Sequence, residues 1–306
     1  MRVSYPSLSG TQGPVWVAIE AGIFAKHGLA VDFVLIRSGT TGVQALIGGD
    51  TQFAAIAGPA VVQARLGGAD LLWIATMTNK LVFSVMARPD ITRPGDLRGR
   101  KMGITRFGSA SDFAGQVVLR AWGLQPGKDV TLVQMGGISE ILGGLKSRTV
   151  DAGVVSVPTN RMAVSQGFHE LFNIATLPQE FAFSGVATPR HRATAERALV
   201  TAFLKGFVEG IARFKQDREL SVKVLARHLR TNDPKLLVDT WQTYASAEVT
   251  ERVPIPTEGG IAAVLEGIAA SDERARRVRA RELIAPEFIR ELAQSGFISS
   301  LYARSP

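Results

Sequence analysis

Residues 150–160, Val150-Asp151-Ala152-Gly153-Val154-Val155-Ser156-Val157-Pro158-Thr159-Asn160, set an apolar run of strand length directly against small polar residues and a proline. The run suits a buried strand, and its ending is either an ordinary turn or the rim of a binding site. Nearly the same grammar stands at residues 52–62, QFAAIAGPAVV, with Pro59 in place of Pro158. The interval is 99 residues, and it recurs. Val3–Tyr5 maps to Met102–Ile104, Ser9-Gly10-Thr11 to Gly108-Ser109-Ala110, Gly28 to Gly127, Val31 to Val130 and Leu46 to Leu145. Few residues are identical. The repeat lies in the register of strands, loops and helices, and it predicts two lobes of like plan.

Strand patterns fall at Val3–Tyr5, Val31–Ile36, Phe53–Ile56, Leu71–Ala75, Leu81–Ala87, Met102–Thr105, Val130–Gln134 and Gly153–Val155. Helical patterns separate them, at Pro14–Lys26, Ala110–Trp122 and Ile138–Lys146. Pro14 sits in a first turn, and His27-Gly28 stops the first of these helices. Strands alternating with helices imply an α/β protein with open, mostly parallel sheets. Phe181–Ala187 reads as a strand returning to the first lobe. From Pro189 onward the chain reads as helices, over 194–215, 220–230, 234–246, 260–270 and 287–295. The expected division is residues 1–86 and 187–306 for lobe 1 and 87–186 for lobe 2, with hinge crossings near 85–89 and 183–189.

In open parallel sheets ligands bind outside the carboxyl ends of the strands. Six loops stand there: 7–11, 38–41 and 57–59 in the first lobe, 106–112, 135–139 and 156–160 in the second. All are rich in Gly, Ser and Thr. Such residues let a ligand approach the backbone, and helix N-termini with hydroxyls offer donors to an anion. Any one loop alone reads as a helix cap or turn. Six on one rim point to a cleft. Arg37, Arg106 and Arg161 are the charged candidates, each either a partner for an acid group or a solvated loop arginine. Phe107 and Trp16 are candidates for an apolar wall, Trp16 equally for core.

The 306 residues, 46% hydrophobic and 20% charged, describe an ordinary globular protein with no run long enough for a membrane helix. A net charge of +8 raises nucleic-acid binding, but the one dense basic run, Arg274 to Arg281, reads as a solvated helix face without an aromatic platform. No nucleic-acid partner is expected. Zero cysteines exclude disulfides and thiolate chemistry, and the four histidines show no metal-ligand spacing. No phosphate-binding loop or nucleophile elbow occurs. Neither a cofactor nor a metal is expected. Met1 is followed at once by strand residues, so no leader is visible. The expected location is the periplasm or cell envelope after removal of a leader, or the cytoplasm if Met1 is the native start.

The stretches PVWVAIEAGIFAKHGLAVDF, GVQALIGGDTQFAAIAG, PDITRPGDLRGRKMGI and LGGLKSRTVDAGVV give nearly the whole chain a resemblance to substrate-binding proteins of the nitrate/sulfonate/taurine class of ABC transporters. Thiamine-pyrimidine precursor proteins share that superfamily. The resemblance implies a type II periplasmic-binding fold whose lobes close on a small organic anion, and whose closed form docks as a monomer on a membrane permease. Carried over by position, the implied ligand residues are Ser7, Ser9, Gly10 and Thr11; Gly39, Thr40 and Thr41; Ala57 and Gly58; Arg106, Ser109, Ala110, Ser111 and Asp112; and Ser156 and Asn160. Asp112 either caps its helix or recognises an amine or hydroxyl.

Enzymes of menaquinone and pyrimidine synthesis resemble the same fold. The pyrimidine-synthesising members depend on a cysteine-rich motif that this chain lacks. A menaquinone-pathway type of enzyme, using Asp112 or Ser111, is the alternative to a receptor that is not an enzyme. The sensing half of a transcription regulator would need an N-terminal DNA-binding unit; with a strand beginning at residue 2, that reading requires a chain shortened at its N-terminus.

Overall fold

Short β-branched and apolar runs form the strands, and the segments between them carry helix stops where the chain must turn. The computed structural model describes residues 1–303. The chain runs β1 (Arg2–Tyr5), α1 (Gly13–Glu20), α2 (Ile23–Lys26), β2 (Asp32–Leu35), α3 (Gly39–Ile47), β3 (Phe53–Ile56), α4 (Gly58–Leu66) and β4 (Leu71–Thr78). It continues through β5 (Phe83–Ala87), β6 (Lys101–Ile104), α5 (Ala110–Ala121), β7 (Thr131–Gln134), α6 (Ile138–Lys146), β8 (Ala152–Ser156), α7 (Thr159–Ser165) and β9 (His169–Asn173). β10 (Ser184–Pro189) leads into α8 (Arg190–Ala195), α9 (Arg197–Gln216), α10 (Arg218–Leu229), α11 (Pro234–Ala245), α12 (Glu258–Ala269), α13 (Glu287–Gln294) and α14 (Phe297–Ala303).

Two five-stranded sheets result, in the orders β2-β1-β3-β10-β4 and β7-β6-β8-β5-β9. Their pairings repeat at the 99-residue interval. Arg2 faces Asp32 as Lys101 faces Thr131, and Val3 faces Phe53 as Met102 faces Ala152. The fourth place in each sheet is taken by a strand that has just crossed from the other, and it runs antiparallel to its neighbours. Each sheet is therefore mixed but mostly parallel, with one antiparallel strand in five.

The crossings differ from the expected ones for the same reason. β5 pairs with β8 and β9 along its length, so the chain has left the first sheet by residues 79–82, not 85–89. The return occupies 174–183, and β10 belongs wholly to the first sheet from Ser184, not from 187. β9 is absent from the expected strands because His169-Glu170 interrupts its apolar pattern. The helix expected over 14–26 breaks at Gly22, whose φ of 67° only glycine adopts at low cost. The arginine-rich run is not one helix face but two short 3-10 turns, in which Arg274 pairs with Asp272 and Arg279 with Glu282.

The C-terminal helices pack mainly on the first lobe, α9 lying against α1. Phe203 stacks on Phe53 and Phe24, joining this layer to the sheet. Gly206 and Gly210 admit the close approach, since a Cβ at either position would stand under 3 Å from Phe24 or Ala18. Among the described residues no helix is long and apolar enough to cross a membrane.

Gly185 is the tightest point of the exchanged strand, where a Cβ would stand 2.0 Å from the Ala75 carbonyl oxygen. Gly185→Ala is expected to cost about 2–3 kcal/mol, the scale of core overpacking, in urea unfolding. A loss under about 0.5 kcal/mol would contradict the register given for β10 and β4.

Candidate functional site

Because each sheet ends its strands toward the other, the loops after β1, β2 and β3 face those after β6, β7 and β8. Between them lies a cleft of about 60 Å³. At roughly 10–15 Å³ per water centre, that is room for about four waters, or a ligand of roughly four to six non-hydrogen atoms.

The lining is built in pairs at the 99-residue interval. Pro6 and Thr105, Thr11 and Ala110, Gln12 and Ser111, Gly39 and Ile138, and Ala57 and Ser156 all border the cavity. Ser7, Ser9, Ser38, Ser109, Ile56 and Ser184 add to them. Phe83 and Phe183, the residues at the two crossings, close the floor edge to face with ring centroids 5.0 Å apart. No Lys, Arg, His, Asp or Glu borders the cavity among the described residues. Nine bordering residues carry a hydroxyl.

Gly39, Ala110 and Ile138 are the first residues of α3, α5 and α6. A helix leaves its first amides without internal partners, and its N-terminal partial charge favours an anion by about 0.3–1 kcal/mol per helix. The three helices converge on the cavity from both lobes. The arrangement offers donors and dipoles to negative charge while supplying no general acid, base or counter-ion.

In the second lobe a hydroxyl cluster fixes the α5 end. Ser109 is the N-cap, its Oγ accepting from the Asp112 amide at 3.4 Å and from Thr105 Oγ1 at 2.8 Å. Ser111 Oγ accepts from the Thr105 amide at 2.8 Å. Asp112 turns back to accept the Gly108 amide at 2.8 Å and Gln116 Nε2 at 2.9 Å. It closes the turn that leads into α5 and does not border the cavity. Burial pushes its carboxyl above the ordinary value, against the opposing pull of those hydrogen bonds.

Direct contacts join the lobes around the cavity. Ser9 Oγ lies 2.9 Å from Ser156 Oγ, and the Gly10 amide donates to the Val157 carbonyl at 3.2 Å. At the outer rim Arg37 Nε pairs with Glu140 at 3.1 Å. On the α5 flank Arg120 donates to the Gly267 carbonyl near the end of α12 at 3.3 Å. Gly108, at φ 75°, lets its loop pass the Thr40 methyl; a Cβ there would stand 3.2 Å away.

Of the residues expected at the site, the fold brings Ser7, Ser9, Thr11, Gly39, Ala57, Ser109, Ala110, Ser111 and Ser156 to the cavity. The others lie elsewhere. The amides of Gly10 and Gly58 are taken by Val157 and Ala182. Thr40 hydrogen-bonds Ser38, and Thr41 does not reach the lining. Asn160 donates to Ser84 Oγ at 3.0 Å beneath the cleft. Arg106, Phe107 and Arg161 are exposed outside the cavity, while Trp16 is core, stacked on His228. Gln12, Thr105 and Pro6 were not expected, although the 99-residue interval maps Gln12 onto Ser111 and Pro6 onto Thr105.

A family model described as NMT1/THI5 like matches residues 11–219. That is well over half of the chain, which belongs to this family. A protein of Brucella abortus (strain 2308), designated as a binding protein, is 26% identical over 259 residues, 83% of this chain and 78% of its own. A solved structure from Bordetella bronchiseptica RB50 superposes with a TM-score of 0.86 at 20% identity, covering 96% of both chains. The periplasmic nitrate-binding protein NrtA from Synechocystis PCC 6803 superposes at 0.83, with 15% identity, over 96% of this chain and 88% of its own. The alkanesulfonate-binding protein SsuA from Xanthomonas axonopodis pv. citri, bound to MOPS, superposes at 0.80, with 18% identity, over 93% and 97%. The fold is that of the periplasmic binding proteins.

The position of Asp112 sets a pH dependence. Its folded-state pKa lies above the ordinary 3.8, so the stability it contributes is complete below that value and is lost as pH rises through the folded pKa. Asp112→Asn cannot ionise. The unfolding free energy of the variant minus that of the parent is expected to become more positive between about pH 4 and pH 7 in urea titrations. A flat difference would contradict the buried, charge-penalised position.

Proposed function

We propose that this member of the NMT1/THI5-like family is the solute-binding receptor of an ABC-type import system, closing its lobes on a small organic anion. A short sulfonate, or an acid of like size, fits the cavity. The observation that carries the reading is a closed cleft lined by hydroxyls and helix N-termini from both lobes, with no charged side chain. Further support comes from structural neighbours titled as sulfonate- and nitrate-binding proteins.

The mechanism is a population shift. The anion binds across facing loops, and only the closed arrangement supplies donors from both sides, so binding stabilises closure. Residues 79–82 and 174–183 are the hinge. A micromolar dissociation constant corresponds to about −8 kcal/mol. Hydrogen bonds to a charged group contribute about 1.5–3 kcal/mol each, so a handful suffice after ordering costs. The receptor works as a monomer in the periplasm or cell envelope, and its closed form is the one a membrane permease recognises. Ligand capture needs no cofactor and no turnover.

Ser109→Asp tests the site with the fold preserved, because aspartate is itself a strong N-cap. It sets a carboxylate at the cavity wall, and two like charges about 4 Å apart repel by about 4 kcal/mol at the effective dielectric of a protein surface. Calorimetric affinity for the cognate anion is expected to fall at least about a hundredfold. Unchanged affinity would remove the α5 terminus from the site.

A further inference from the structure

Three donors of the first lobe converge on one oxygen of the second. The Val157 carbonyl receives the Gly10 amide at 3.2 Å, Ser9 Oγ at 3.3 Å and the Tyr244 hydroxyl at 3.4 Å. Gly10 and Ser9 belong to the loop after β1. Tyr244 belongs to α11, far along the chain in the C-terminal helices, and does not border the cavity.

Tyr244 is held rigidly. Lys215 of α9 donates to the carbonyls of Ala245, Ser246 and Thr250 at 2.7–3.0 Å, which fixes the end of α11. Trp241 Nε1 donates to the Phe214 carbonyl at 2.8 Å one turn earlier. The phenol ring fills the space under Gly10, where a Cβ would stand 2.4 Å from the ring edge. The side chain is 1% exposed, and burial raises the hydroxyl pKa far above the usual tyrosine range. The group remains a hydrogen-bond donor at any physiological pH.

We infer that Tyr244 is a positioning residue through which the C-terminal helices hold the lobes shut, clasping Val157 directly and supporting the Ser9–Gly10 turn that clasps it alongside. The clasp needs no ligand, because every donor and the acceptor belong to the protein. The receptor therefore samples its closed form before the solute arrives, and Tyr244 sets how often. Where the proposed function concerns what enters the cleft, this inference concerns only the lobes.

The chain has no cysteine, so two introduced cysteines label it cleanly. Ile47→Cys and Lys146→Cys occupy exposed, equivalent ends of α3 and α6 on the two lobes. Spin labels there report the lobe separation by pulsed electron resonance in ligand-free protein. The labelled parent is expected to show a short-distance population, and Tyr244→Phe to reduce its ratio to the long-distance population about fivefold, equivalent to about 1 kcal/mol at 1.4 kcal/mol per tenfold. Ser9→Ala removes another donor without touching α11 and shifts the populations in the same direction. Tyr302→Phe deletes a buried hydroxyl that has no partner among the described residues and leaves them unchanged. A distance distribution unaltered by Tyr244→Phe would overturn the inference, and so would a parent with no short-distance population. No solute is present, so a wrong ligand assignment cannot produce either result.

Discussion

The exchange of one antiparallel strand between the sheets is the constraint on which the rest depends. β5 follows β4 across to the second sheet, and β10 follows β9 back to the first, each entering the fourth place. Two covalent crossings hold the carboxyl ends of both sheets toward one another. The residues at those crossings, Phe83 and Phe183, pack against each other as the cleft floor. The site is thus a consequence of topology before any binding residue is chosen.

A cleft so placed can hold an anion in two ways. A guanidinium or ammonium gives strong attraction but must itself be desolvated as the lobes close. Hydroxyls and helix amides carry smaller partial charges, already oriented by capping and backbone geometry, and lose less hydration on closure. On the proposed reading this chain takes the second course: among the described residues no charged side chain borders the cavity, and Arg37 with Glu140 at the rim and Asp112 beside α5 are each occupied with a protein partner. Affinity in such a site depends on alignment, and alignment depends on closure. Direct lobe-to-lobe contacts at Ser9, Gly10 and Arg120 supply it.

Much of this was legible in the sequence because the repeat is one of register. The 99-residue interval marks the strands and the loops, and the sheets repeat it in their hydrogen bonding. The small-residue loops named the cavity wall through Ser7, Ser9, Ser109, Ser111 and Ser156. What could not be read is where a backbone amide is already spent. Gly58 and Gly10 look like ligand contacts until the chain folds and Ala182 and Val157 accept their protons. Arg106 looks like an anion partner, but nothing local in Arg106-Phe107-Gly108 says which way the side chain leaves the loop. β5 was assigned to the wrong lobe because an apolar strand carries no mark of which sheet it joins. Tyr244 was unreadable for a deeper reason: its partner lies 87 residues away across the cleft.

The central claim is that negative charge, not shape alone, is what the neutral cleft selects. Titration calorimetry of the unsubstituted protein with small anions and their uncharged counterparts tests it most directly. The pairs are methanesulfonate with dimethyl sulfone, nitrate with nitromethane, and acetate with acetamide. At least one anion is expected to bind at one site per chain while its uncharged counterpart of similar shape does not. An uncharged counterpart that binds as tightly as its anion, or a set of anions none of which binds, would contradict the account.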